Sequence, residues 1–277
     1  MKIGFIDKYL DEWHANNLPQ WLREETEIEA IYAYEMMPKE DGISGAEWAK
    51  EHDAVLCESI EEVVEKSDFI IVLAPSYPEL HEELCKLPLK SGKPTYVDKT
   101  FAPDPATARR IIDMAKNGGT PMFSSSALRF SRGLPEIERE NIVNISMRGP
   151  GPLEMYSIHQ IEPIVSLMGC EAEEVMFIGS TEHPGYIIKF SGNRFASAMH
   201  FDWNCPFNLA VKYSDEKGTV CLNECVDYFE GFVHFLVEFF KSGNPTFDYE
   251  QTVSVIAIRE AVLRAKDTPC RWIKVEM

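Results

Sequence analysis

Short apolar runs alternate with stretches of helical period through the first 124 residues, and one run, Phe69-Ile70-Ile71-Val72-Leu73-Ala74, is apolar on both faces. A strand with no polar side has to be covered by helices above and below, as at the centre of a parallel sheet. The alternation predicts strands at 2–6, 28–34, 54–57, 69–74, 95–97 and 122–123, with helices near 11–24, 46–52, 60–66, 79–87 and 104–116. Strands separated by helices in this way build βαβ units. Asp104 is a candidate N-cap for the last of these helices, and Gly118 lies at its end.

Beyond Gly118-Gly119 and Ser124-Ser125-Ser126 the period changes. Phe195, Met199, Phe201 and Trp203 alternate with Ala196, Ala198, His200 and Asp202, which marks half-buried antiparallel strands. Similar runs at 174–179, 186–190 and 209–214, a last strand at 272–275, and helices near 155–168, 226–242 and 250–265 complete the pattern. The expectation is an α/β chain: a Rossmann-type parallel sheet over residues 1–124, then an α+β domain with a mainly antiparallel sheet over 125–277. A chain of 277 residues buries about 75% of its unfolded surface, so neither disulfides nor metals are needed to hold it together.

Lys plus Arg total 27 against 45 Asp plus Glu, a net charge of -18, which repels phosphate backbones and anionic bilayers. Nucleic acid and membrane are therefore excluded as expected partners. No apolar run is long enough for a signal peptide or a membrane span, and the seven cysteines have neither CxxC nor zinc spacing. A cytoplasmic protein with reduced thiols, mostly small core residues, and no metal is expected.

Four stretches carry a family resemblance: Ser59 to Val63, Asp68 to Pro75, Leu80-His81, and Gly92-Lys93-Pro94-Thr95-Tyr96-Val97-Asp98-Lys99-Thr100. Together they resemble the glucose-fructose oxidoreductase, inositol dehydrogenase and rhizopine-catabolism group, Gfo/Idh/MocA. In that group the central strand ends in a Pro-Asn turn before a His, and the next strand ends in Glu-Lys-Pro; here the tripeptide is Asp98-Lys99-Thr100. The second domain of the family carries Gly-x-His-x-x-Asp on a helix, matched by Ser157-Ile158-His159-Gln160-Ile161-Glu162. An Asp commonly stands four residues before that His; Met155 occupies the place here.

The resemblance implies an NAD(P)-dependent oxidoreductase acting on a sugar, polyol or related hydroxy compound, in which Lys99 and His159 act together on the proton of the reacting hydroxyl. It also implies a homo-oligomer formed through the second-domain sheet. Lys99 follows a strand end, where open parallel sheets gather ligands; a surface Lys paired with Asp98 is the alternative. Ala74, Pro75, His81 and Asp98 fall at the same edge, and Thr100 offers a hydroxyl to a ligand there. His159 and Glu162 are three apart on a helix, so the carboxylate can orient the imidazole; a purely structural His is the alternative.

The cofactor expectation meets one obstacle. A dinucleotide needs Gly-x-Gly-x-x-Gly after the first strand so that amides can approach the pyrophosphate, but the sequence reads Gly4-Phe5-Ile6-Asp7-Lys8-Tyr9-Leu10-Asp11-Glu12. Asp7, Asp11 and Glu12 bring negative charge opposed by Lys8 alone, while Glu35 falls where an acid binds the adenosine ribose. NAD or NADP binding is thus expected to be weak or absent. The second functional expectation is a family member that has lost the dinucleotide and serves as a small-molecule binding or regulatory protein. Asp11 and His14 at i and i+3 form a candidate pair for a metal or polar substrate, with a helix-cap acid and a solvated His as the alternative. His200 and Asp202, on one strand face, point to substrate, solvent or a subunit interface.

Overall fold

The computed structural model describes all residues, Met1–Met277, and divides into two compact units. The first comprises Met1–Pro103, Thr107–Ser125 and Val233–Asp248; the second comprises Asp104–Ala106, Ser126–Phe232 and Tyr249–Met277.

The first unit holds six parallel strands: β1 (Lys2–Asp7), β2 (Ala30–Glu35), β3 (Val55–Leu56), β4 (Phe69–Val72), β5 (Thr95–Val97) and β6 (Met122–Phe123). Their order is β3-β2-β1-β4-β5-β6, the doubly wound arrangement with β1 and β4 at the centre. Helices α1 (Trp13–Glu25), α2 (Gly45–Glu51), α3 (Ile60–Lys66), α4 (His81–Leu84) and α5 (Pro105–Gly118) connect them. Ser44 and Glu47 close a capping box on α2, and the Ser59 hydroxyl caps α3 through the Glu62 amide. Pro105 at the first position of α5 has no amide to leave unpaired, and the spacing of Ala108, Ile111, Ile112 and Ala115 turns one face inward. Gly4 lets α3 press on β1, since a Cβ there would lie 2.5 Å from Val63 and 2.6 Å from Ser67.

Strand β4 is fully buried from Ile70 to Val72, as its two apolar faces require. It ends two residues earlier than its apolar run, because Ala74 turns at φ 68° and gives its amide to the Asp7 carboxylate at 2.9 Å. The helix expected at 79–87 is broken into a 3-10 turn at Pro78–Leu80, the short α4, and a second 3-10 turn at Pro88–Lys90; the two prolines start new turns.

The second unit holds a seven-stranded mixed sheet in the order β12-β11-β7-β10-β9-β8-β13. Its strands are β7 (Ile142–Pro150), β8 (Ala172–Gly179), β9 (Pro184–Phe190), β10 (Arg194–Phe201), β11 (Asn208–Tyr213), β12 (Thr219–Leu222) and β13 (Trp272–Lys274). All pairings are antiparallel except β7 with β10, which run parallel. Helices α6 (Leu153–Met168) and α8 (Tyr249–Ala265) belong to this unit. The sequence pattern did not reveal β7 or β12: in β7, Asn144 and Ser146 interrupt Ile142, Ile145 and Met147, its buried apolar residues.

In β10 the small residues face inward. Ala196, Ala198 and His200 are buried, whereas Phe201 is 50% and, just past the strand, Trp203 66% exposed. Helix α7 (Tyr228–Ser242) was expected in the second domain, yet from Val233 onward it clusters with the first. Aromatic packing is the reason: Phe240 stacks on Phe69 at 4.9 Å, and Phe235 and Phe239 meet the edge of Phe123 at 5.2 and 4.8 Å. Among the cysteines only Cys57, Cys85 and Cys225 are buried, so most are not core residues; all seven lie outside disulfides. No helix is long and apolar enough to cross a membrane.

Candidate functional site

At the carboxyl edge of the first sheet, Asp98 follows β5 and has a side chain 3% exposed. Its Oδ1 accepts from the Tyr96 hydroxyl at 2.7 Å and from the Lys99 amide at 2.8 Å, and its Oδ2 meets Nδ1 of His14. Burial by itself would raise the pKa of this carboxyl, but the charge and hydrogen bond of His14, the charge of Lys99 and the Tyr96 hydroxyl outweigh it and hold Asp98 well below the usual carboxylate range. Asp98 is a buried anchor, satisfied from three sides. The Lys99–Thr100 peptide is cis, and Thr100, nearly buried, gives its amide to the Pro75 carbonyl at 3.3 Å.

His14 was paired with Asp11 in the sequence reading, and the structure corrects this. Asp11 precedes α1, where it accepts from Asn16 at 2.9 Å and from the Ile43 amide at 3.2 Å, while His14 in the first turn of α1 reaches Asp98. The two therefore form no joint metal or substrate pair. Asp7, at the end of β1, is fully buried and accepts the amides of Lys8 and Ala74 through Oδ1; Oδ2 has no partner. Burial raises its pKa well above the ordinary value against the pull of those two amides, with the charges of Asp98 and Glu12 adding to the rise. Asp7 thus ties β1 to the turn after β4 rather than presenting charge to a phosphate.

His81 is completely buried, with Nδ1 2.9 Å from the Phe101 carbonyl and Nε2 2.5 Å from that of Leu73. Both ring nitrogens brace backbone, so it is corrected from a cofactor-lining residue to a structural one. Lys8 lies with Nζ 3.5 Å from the Tyr77 ring centre and 4.8 Å from that of Tyr9. Glu35 has Oε1 2.8 Å from the Gly45 amide and Oε2 3.4 Å from that of Leu10; a Cβ on Gly45 would fall 2.4 Å from Oε1. Its carboxylate is engaged within the chain at the position where a ribose would need it.

A dinucleotide does not fit the β1–α1 loop in the glycine-loop manner. Leu10 is buried in the turn, Glu12 stands at the N-cap of α1 without capping it, and Asp7 and Glu35 both serve the chain's own amides.

In the second unit, His159 on α6 is half-buried with Nδ1 2.7 Å from the Ser126 hydroxyl, which also accepts the Leu128 amide at 3.2 Å. Tyr156 lies 5.0 Å from the His159 ring, and Trp203 and Phe207 pack on Tyr156. Burial raises the Tyr156 pKa. Glu162, expected to orient His159, forms a buried ion pair with Arg129 at 2.8 Å; the hydroxyl at the ring is that of Ser126. Met155, in place of the family's Asp, is exposed. His200 is buried with Nδ1 on the Gly151 carbonyl at 2.9 Å, and Asp202 lies past the end of β10, so the two do not form one strand-face site.

Sequence reasoning missed Ser126, Tyr96 and the His14–Asp98 contact. Ser126 read only as part of a serine-rich boundary, and 84 residues separate His14 from its partner.

No protein-family model matches the chain, and no curated protein matches it in sequence. Solved structures do match in fold. A myo-inositol dehydrogenase from Lactobacillus casei, in complex with NAD(H) and myo-inositol, has a TM-score of 0.84 at 11% identity, covering 100% of this chain and 97% of that one. A probable dehydrogenase from Thermotoga maritima reaches 0.82 at 15% identity with 99% of both chains covered. A UDP-N-acetylglucosamine 3-dehydrogenase from Acidithiobacillus ferrooxidans reaches 0.78 at 14% identity, covering 96% and 97%. The chain has the fold of Gfo/Idh/MocA-type dehydrogenases over its whole length; at such identities the likeness is one of fold.

Proposed function

We propose that the chain is a divergent member of the Gfo/Idh/MocA oxidoreductases, acting on a sugar, polyol or related hydroxy compound, with Lys99 and His159 as its proton-handling residues. The observation that carries this reading is the position of Lys99: it directly follows a buried, ionised Asp98 at the carboxyl edge of the doubly wound sheet, where such folds bind ligands. A lysine ammonium there can stabilise a developing alkoxide or shuttle its proton. His159, with one ring nitrogen on the Ser126 hydroxyl, is oriented as a second acid or base. The fold shared with sugar and polyol dehydrogenases supports the same substrate class.

A second reading, a small-molecule binding or regulatory protein without a dinucleotide, is favoured by the β1–α1 loop and by the internal use of Glu35. Isothermal titration with NADH and NADPH, followed by nicotinamide-linked assays over sugars and polyols, separates the two. Turnover supports the first; a polyol that raises the melting temperature without any turnover supports the second. We further propose a homo-oligomer built on the open face of the second-unit sheet, supported by the exposed Phe201, Trp203 and Trp272, and a cytoplasmic setting, supported by seven cysteines that form no disulfide.

A further inference from the structure

We infer that His14, held by Asp98, is a hydroxyl-binding residue for an uncharged polyhydroxylated ligand, at the sheet edge where a dinucleotide fold would seat pyrophosphate. The inference rests on the hydroxy-compound part of the function proposed above and not on its redox step. Asp98 is ionised and fixed by Tyr96 and the Lys99 amide, so the ring nitrogen facing it, Nδ1, carries hydrogen. Nε2 is thereby turned away from that contact; the ring is 16% exposed and its support is buried, so this nitrogen opens to solvent. A carboxylate on one nitrogen fixes the ring and holds the other in place for a ligand hydroxyl.

The surroundings select the ligand. Trp13, 51% exposed, has its ring centre 5.2 Å from that of His14, giving a flat apolar surface beside the imidazole on which the C–H face of a sugar or cyclitol can lie. Glu12, next to Trp13, keeps a partly exposed carboxylate whose bond to Lys39 is 3.5 Å long. It accepts hydroxyls and repels phosphate.

The test is modification of the full chain by diethyl pyrocarbonate, read at His14 by peptide mass spectrometry. We expect His14 to react, and about 50 mM myo-inositol, D-glucose or D-glucitol to slow the reaction at least about tenfold for one of the three. Equal ADP-ribose should leave the rate unchanged. Asp98→Asn should abolish this protection and shift the His14 ring away from the Nδ1–H tautomer in 15N NMR; if that variant does not fold, Tyr96→Phe should weaken protection instead. Protection by none of the three polyols, or by ADP-ribose in their place, overturns the assignment. Nicotinamide-linked turnover of a polyol that gives His14 no protection also overturns it while leaving the proposed oxidoreductase standing. Protection without any such turnover does the reverse.

Discussion

Oε1 of Glu162 lies 2.8 Å from Nε of Arg129, and the two side chains are only 5% and 7% exposed. An ion pair so deeply placed stabilises little when whole, because desolvation offsets its attraction, but losing one partner leaves a buried charge unmatched. Glu162→Gln is therefore expected to cost about 3–5 kcal/mol in chemical denaturation, and the double variant Arg129→Met/Glu162→Met much less. A single variant as stable as wild type would show that the pair does not matter to the fold.

Asp7 and Asp98 titrate with opposite consequences. The folded pKa of Asp98 is depressed, so its stabilisation is present above the unfolded carboxyl pKa and is lost as pH falls toward the folded value. That of Asp7 is raised by burial, so its contribution is full below the unfolded pKa and is lost as pH rises through the folded one. Asp7→Asn keeps the acceptor for the Lys8 and Ala74 amides and cannot ionise. It should melt above wild type at alkaline pH, by about 1.4 kcal/mol for each unit by which the native pKa is raised, and converge with it near about pH 4. Parallel melting curves across that range would refute a raised Asp7.

The parallel sheet was legible because its signal is local: Phe69 to Ala74 is apolar on both faces, and two of the connecting helices, α2 and α3, begin at their own serine caps. Strand β7 was not legible, since Asn144, Ser146 and Arg148 break up its apolar residues and its parallel partner β10 lies some fifty residues away. At the site, the motif positions Lys99 and His159 could be found from the resemblance. The partners of those residues could not: Ser126, Asp98 with His14, and Arg129 with Glu162 meet only through the fold. Spacing on one helix suggested Glu162 for His159, whereas tertiary packing delivered Ser126.

The open face of the second sheet carries large apolar side chains, with Phe195 beside Trp272 at 6.4 Å and Phe201 half exposed. Sedimentation velocity at micromolar concentration should show an oligomer. Trp272→Glu combined with Phe201→Glu should shift it to monomer without unfolding either unit, because both residues already face outward. A wild-type monomer at all concentrations would exclude this face as a subunit contact.

Dinucleotide affinity should be low. Without close amide approach to the pyrophosphate, and with Glu12 at the N-cap of α1, a typical micromolar site loses several kcal/mol and falls to a dissociation constant of about 100 μM or weaker. Titration calorimetry with NADH and NADPH measures this directly. A low-micromolar value would mean that Lys8 and main-chain groups build another phosphate site.

Catalysis is tested at the two motif residues. Lys99→Met keeps the length and apolar stem of the side chain but removes its charge and proton, and should abolish turnover of a hydroxy substrate while far-UV circular dichroism and melting temperature stay near wild type. His159→Asn preserves a polar group of similar size facing the Ser126 hydroxyl and removes the titrating ring, so turnover should fall by about 100-fold or more. Ser126→Ala takes away the hydrogen bond that orients the ring and leaves the ring in place; a smaller loss than that of His159→Asn is expected, with the rate-versus-pH profile displaced. If Lys99→Met and His159→Asn both retain wild-type turnover, these residues do not handle the proton, whatever fold carries them.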